Sequence, residues 1–160
     1  MQTALCKLLG IEVPIIQAPM GGAVGPAIAA AVSNAGALGM LVLWRADLET
    51  VRRQIRKTRS LTRRPFGVNL NLEFPQDERV AVCLDEGVPI ISFFWRDPAA
   101  LVPRSKAGNA IVLHTVGTAE GARRAVDCGV DVVVAQGWEA GGHVRGTGGS
   151  VGSGGASPFR

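Results

Sequence analysis

The stretch of this chain best suited to chemistry is the apolar run Asp131-Val132-Val133-Val134-Ala135-Gln136, which ends in a glutamine. It leads into Gly137-Trp138-Glu139-Ala140-Gly141-Gly142-His143, a glycine-rich loop with one histidine. An imidazole changes charge near neutral pH, so a loop histidine facing a ligand suits proton transfer. Against this stands the ordinary structural histidine, and Glu139 alone beside His143 does not define an acid–base pair. A second loop, Gln17-Ala18-Pro19-Met20-Gly21-Gly22, sets two glycines after an apolar run and shortly before Pro26. Backbone there can approach a flat or anionic ligand, or simply turn tightly; the spacing is not a GxGxxG fingerprint. Asn69 interrupts the apolar run Phe66-Gly67-Val68-Asn69-Leu70. A buried amide must find partners, either neighbouring backbone or the polar edge of a cofactor.

Other chemistries are not supported. Cys6, Cys83 and Cys128 stand far apart with no CxxC pair, and with His114 and His143 as the only histidines neither a disulfide framework nor a zinc site is expected. No metal site is expected, His114 reads as packing, and no thiol sits in an activating context. The net charge of +4 is too weak to imply a nucleic-acid partner. Seven of the 17 cations crowd into positions 52–64, where Leu48, Val51 and Ile55 keep an apolar stripe at helical spacing, so that segment reads as a helix with a solvated outer face. The window Ala23–Leu43 is long enough to span a bilayer but is broken by Gly25, Pro26, Asn34, Gly36 and Gly39, and it reads as soluble. No secretory leader is visible in MQTALCKLLG, and a cytoplasmic protein is expected.

What must position the loops is a repeat. With 160 residues, 47% of them hydrophobic, and a mean hydropathy of +0.23, the chain has material for one buried core. Short β-rich runs fall at 13–18, 38–43, 66–70, 88–94, 110–114 and 131–136. Helical patterns alternate with them, punctuated by Pro26, Gly36, Asp47, Asp97-Pro98, Thr118 and Gly129. Six βα units imply a parallel sheet, either open and doubly wound or part of a (β/α)8 barrel. The unusual residues follow strands one, three and six instead of gathering at one switch point, which favours the loop ring of a TIM-barrel type fold. Trp44, Trp95 and Trp138 follow alternate strands and suggest an aromatic rim. The partial barrel is expected over residues 1–147, and the Gly/Ser-rich segment 148–160 reads as a disordered tail.

Four segments in order resemble the motifs of the FMN-dependent nitronate monooxygenases, also called 2-nitropropane dioxygenases. They are Pro14–Gly22 with Ala29–Gly36, Leu61–Asn69, Gly87–Phe93, and Ala135-Gln136-Gly137 through Gly141-Gly142-His143. The resemblance implies a TIM barrel with FMN at the strand C-termini, bordered by Ala18, Pro19, Met20 and Gly21. It implies hydrogen bonds to the flavin from Asn69 and Gln136, close approach at Gly141 and Gly142, and His143 as the catalytic histidine. It further implies oxidation of alkyl nitronates or nitroalkanes with O2 to carbonyl compounds and nitrite. The departures are Ala37 in place of a common glycine, Val144 between His143 and Arg145, and the absence of strands seven and eight, whose loops usually hold the FMN phosphate. A sheet so shortened leaves open edges through which copies could associate. Two other readings stay in view: a flavin-dependent enoyl-acyl-carrier-protein reductase, which shares the opening motif and the last loop, and a non-catalytic truncated fragment.

Overall fold

The computed structural model describes residues 2–144. A short helix α1 (Ala4–Leu9) is followed by α2 (Pro26–Asn34), β1 (Gly39–Val42), α3 (Leu48–Leu61), β2 (Phe66–Asn71) and α4 (Asp77–Asp85). Then come β3 (Ile90–Phe94), α5 (Val102–Ala107), β4 (Ile111–Val116), α6 (Ala119–Asp127) and β5 (Val132–Ala135). All strand pairs are parallel, and the sheet order is β1-β2-β3-β4-β5, each strand beside its successor.

Two observations remove the open doubly wound alternative. The order never reverses, so there is no switch point. Side chains from α2 to α6 (Ala29, Val51, Ile55, Val80, Val102, Ala125) also share one buried cluster with Leu41, Val68, Ile91, Phe93 and Val112, which alternation places on one sheet face. The four crossover helices α3 to α6, and α2 before β1, therefore cover the same side, as in a barrel. The opposite face carries Met40, Ile90 and Leu113, with Leu38 just before β1, and these pack against Cys6, Leu9 and Ile11 of α1 and its exit. Thus α1 closes the N-terminal end of the inner face, an element the sequence reading did not anticipate.

The expected first strand is the one correction to the strand set. Segment 13–18 forms only an isolated parallel bridge, Ile16 to Leu38, so the described residues hold five strands instead of six. Pro14 and Pro19 lack the N–H that a ladder needs. Beyond the bridge the Gln17 side chain stands in for backbone: its Nε2 donates to the Met40 carbonyl and its Oε1 accepts from the Met40 N–H, both at 3.4 Å. The five other strands lie where the apolar runs predict them.

Local signals act as expected at most helix ends. Asp47 accepts from the Thr50 N–H at 2.7 Å and Thr118 from the Gly121 N–H at 3.0 Å, capping α3 and α6. Asp97 instead accepts from the Ala99 N–H in a turn, and α5 starts only at Val102. The basic face of α3 is not purely solvated, since Arg52 and Arg56 pair with Glu86 at 3.1 and 2.7 Å beyond the end of α4. Ser33 bridges two strand entrances, donating to the Pro65 carbonyl at 2.8 Å and accepting from the Gly39 N–H at 3.2 Å. No described helix is long and apolar enough to cross a membrane. The expected tail at 148–160 lies outside the described residues.

Candidate functional site

Because side chains alternate along each strand, the inner face can be read row by row. The lower row pairs Met40, Gly67, Ile90 and Ile111 in register. Gly67 is glycine for a packing reason: a Cβ there would lie 2.9 Å from Met40 Sδ, which fills the floor. The next row runs Val42, Asn69, Ser92, Leu113 and Val132, and above it stand Asn71 beside Phe94 and Thr115 beside Val134. The face is apolar at the N-terminal end and becomes polar toward the strand C-termini, where a barrel carries its site.

Asn69 is 4% exposed. Its Nδ2 donates to the carbonyl and the Oγ of Ser92, both at the long distance of 3.4 Å, while its Oδ1 accepts no hydrogen bond from the described residues. A buried amide with such loose partners and an unused acceptor is suited to a ligand that offers a donor. The first loop brings Gly21 over the same row, since a Cβ on Gly21 would meet Val42 Cγ1 at 4.0 Å. Ala18, Pro19, Met20 and Gly21 are all exposed, and a turn closed by Val24 N–H to the Met20 carbonyl at 3.2 Å returns the chain to α2.

At the far end of the sheet, Gln136 donates from Nε2 to the His143 carbonyl at 2.9 Å, closing the glycine-rich loop on itself. Gly142 takes φ +77°, and space for a Cβ is open at both Gly141 and Gly142. The His143 imidazole is exposed and stands edge-on to Trp95, with ring centroids 6.3 Å apart. The structure thus gathers the first loop with Asn69 and joins Gln136 to His143. The link from Trp95 to His143, across strands β3 and β5, is one that sequence reasoning missed.

The tryptophans have separate partners. Trp44 stacks on Phe74 at 5.3 Å under the Arg45 guanidinium, Trp95 packs on Phe94 at 4.9 Å, and Trp138 is half exposed. Gln76, a buried residue absent from the sequence reading, donates to the carbonyls of Trp44 and Asn71 and so ties the ends of β1 and β2 together. His114 is buried on the helix-facing side with Nδ1 3.2 Å from the Phe93 carbonyl, away from this opening. Burial pushes the Cys83 thiol up to about 12, which removes it as a nucleophile. Among the described residues no group of three or more metal-ligating side chains comes together.

Comparison with known proteins fits this geometry. The family model for nitronate monooxygenase matches residues 2–78 and 73–155. A nitronate monooxygenase of Paraburkholderia phytofirmans is 36% identical, over 88% of this chain and 49% of the relative. A protein of Mycobacterium tuberculosis named (3aS,4S,5R,7aS)-5-hydroxy-7a-methyl-1-oxo-octahydro-1H-indene-4-carboxyl-CoA dehydrogenase is 35% identical, over 89% of this chain and 41% of that one. Among solved structures, FabK from Thermotoga maritima superposes with a TM-score of 0.87 at 36% identity, covering 90% of this chain and 47% of its own. The chain spans about half the length of the curated relatives it matches. With its single-sided parallel sheet and its match to the family model along nearly the whole sequence, the chain belongs to the nitronate monooxygenase family.

Proposed function

We propose that this chain forms part of a cytoplasmic FMN-dependent oxidoreductase that oxidises alkyl nitronates or nitroalkanes with O2 to carbonyl compounds and nitrite. The family is one of flavin enzymes. The observation that carries the reading is the buried Asn69 amide, whose Oδ1 has no donor among the described residues, beneath a loop that leaves open space at Gly22. A planar cofactor with ring N–H groups fits there: Ala18, Pro19, Met20 and Gly21 would border it, Asn69 and Gln136 would bond to it, and Gly141 and Gly142 would admit it. When bound, the flavin supplies the electron transfer.

His143 handles the proton. In a neutral nitroalkane the α-carbon gives its proton to the imidazole, and the electron pair left behind moves into the nitro group to form the nitronate. The Gln136 bond to the His143 carbonyl fixes the backbone that carries the ring. Titration of FMN into the 160-residue chain, followed by nitronate consumption in wild type and His143→Ala, tests this: saturable one-to-one binding and loss of nitroalkane turnover in the variant are expected. Normal turnover in His143→Ala would remove its role.

A second reading, carbon-acid or enoyl chemistry on an acyl thioester, is favoured by the thioester in the name of the Mycobacterium tuberculosis relative. NADH oxidation driven by an enoyl thioester, without nitronate consumption, would select it. Self-association through β5, which has no outer neighbour among the described residues, would show in size-exclusion chromatography.

A further inference from the structure

Among the described residues, eight have positive φ; six are glycines and a seventh is Asn109, a type that tolerates this region. The eighth is Trp95, at φ +75°, directly after β3. A bulky side chain there is a genuine outlier and stores strain. The conformation has a visible effect. Successive strand residues point to opposite faces, so Trp95 should turn away from Phe94 toward the helices. Instead their rings lie 4.9 Å apart, and the indole meets the His143 imidazole edge-on at 6.3 Å with planes 79° apart. The left-handed step therefore carries the indole onto the inner side of the sheet, against the loop that closes from β5.

We propose that Trp95 is a positioning residue of this site: its strained backbone holds the indole as a wall that sets the orientation of the His143 ring. The proposal rests on the reading of His143 as the group that handles the substrate proton. Two ties then fix this histidine from independent elements, the Gln136 bond on its backbone and the Trp95 ring on its side chain.

The test compares Trp95→Phe, Trp95→Ala and Trp95→Gly in the 160-residue chain. The His143 ring protons are followed by NMR, assigned with His143→Ala, and unfolding is measured in urea. In the wild type these protons should show contacts to the indole and shifts away from free histidine. Phenylalanine should keep a displaced position, whereas alanine and glycine should let it collapse to the free value. Glycine, relieved of strain, should unfold at higher urea than alanine. Wild-type His143 at the free-histidine position, or glycine no more stable than alanine, would overturn the proposal. A Trp95 that only packs on Phe94 would lower stability without moving His143. Neither readout needs turnover, so failure of the catalytic reading, seen as undiminished nitroalkane consumption in His143→Ala, is distinguished from failure of this inference.

Discussion

Gln136 and His143 are joined across seven residues by a single bond from the glutamine Nε2 to the histidine carbonyl, 2.9 Å long. The glutamine that follows β5 thus organises the loop. In Gln136→Ala this bond is gone, at about 1 kcal/mol. Amide hydrogen exchange over residues 137–144 should then accelerate about fivefold, with the strands unchanged.

Asn69→Leu should separate binding from folding. The two bonds it removes are long, at 3.4 Å, and the position is buried between Val42 and Ser92 in register. Replacing a loosely satisfied amide by an apolar group of similar size should leave the urea midpoint within about 0.5 kcal/mol of wild type. FMN affinity should fall about tenfold, near 1.4 kcal/mol, read by flavin fluorescence.

Gly39→Ala should fail structurally. A Cβ at this position would sit 1.9 Å from the Ala29 carbonyl oxygen and 2.8 Å from Ser33 Oγ, so α2 must move away from β1. Overpacking against backbone costs about 3 kcal/mol, and the displacement also strains the Ser33 bridge to Pro65. A lowered urea midpoint with an unchanged slope would register the loss.

Glu86 should give the fold a pH-dependent component. Hydrogen bonds from Arg56, and then from Arg52, hold its carboxyl below the usual carboxylate range. A depressed folded-state value means the stabilisation is present above the unfolded pKa and is lost as pH falls through the folded one. Glu86→Gln should lower Tm by about 3 °C at pH 7. The gap should close in acid as wild-type Glu86 is itself protonated, and it should shrink in salt because Arg56, the nearer of the two arginines, is largely exposed.

How much of this was legible in the residues depends on range. β1 to β5 were readable because each is a short apolar run bounded by turn residues, and Asn69 stood out as a polar residue within one. Segment 13–18 looked the same by composition. Its pairing was decided by Pro14, Pro19 and a side chain, Gln17, reaching a residue 23 positions away. The helix α1 carries too few residues to announce itself, and its role appears only where Cys6, Leu9 and Ile11 meet Met40 and Leu113. The contact of Trp95 with His143 depends on one backbone angle and spans 48 positions of sequence, and no local pattern encodes either.

The sheet order β1-β2-β3-β4-β5 bears on how the chain assembles during synthesis. Each strand's partner is the strand before it, already out of the ribosome, with one helix between them to draw the pair together. Loop closure then stays at a few tens of residues at every step, and no strand waits for a distant segment before it can pair. Growth can proceed by accretion along one advancing edge, in step with translation.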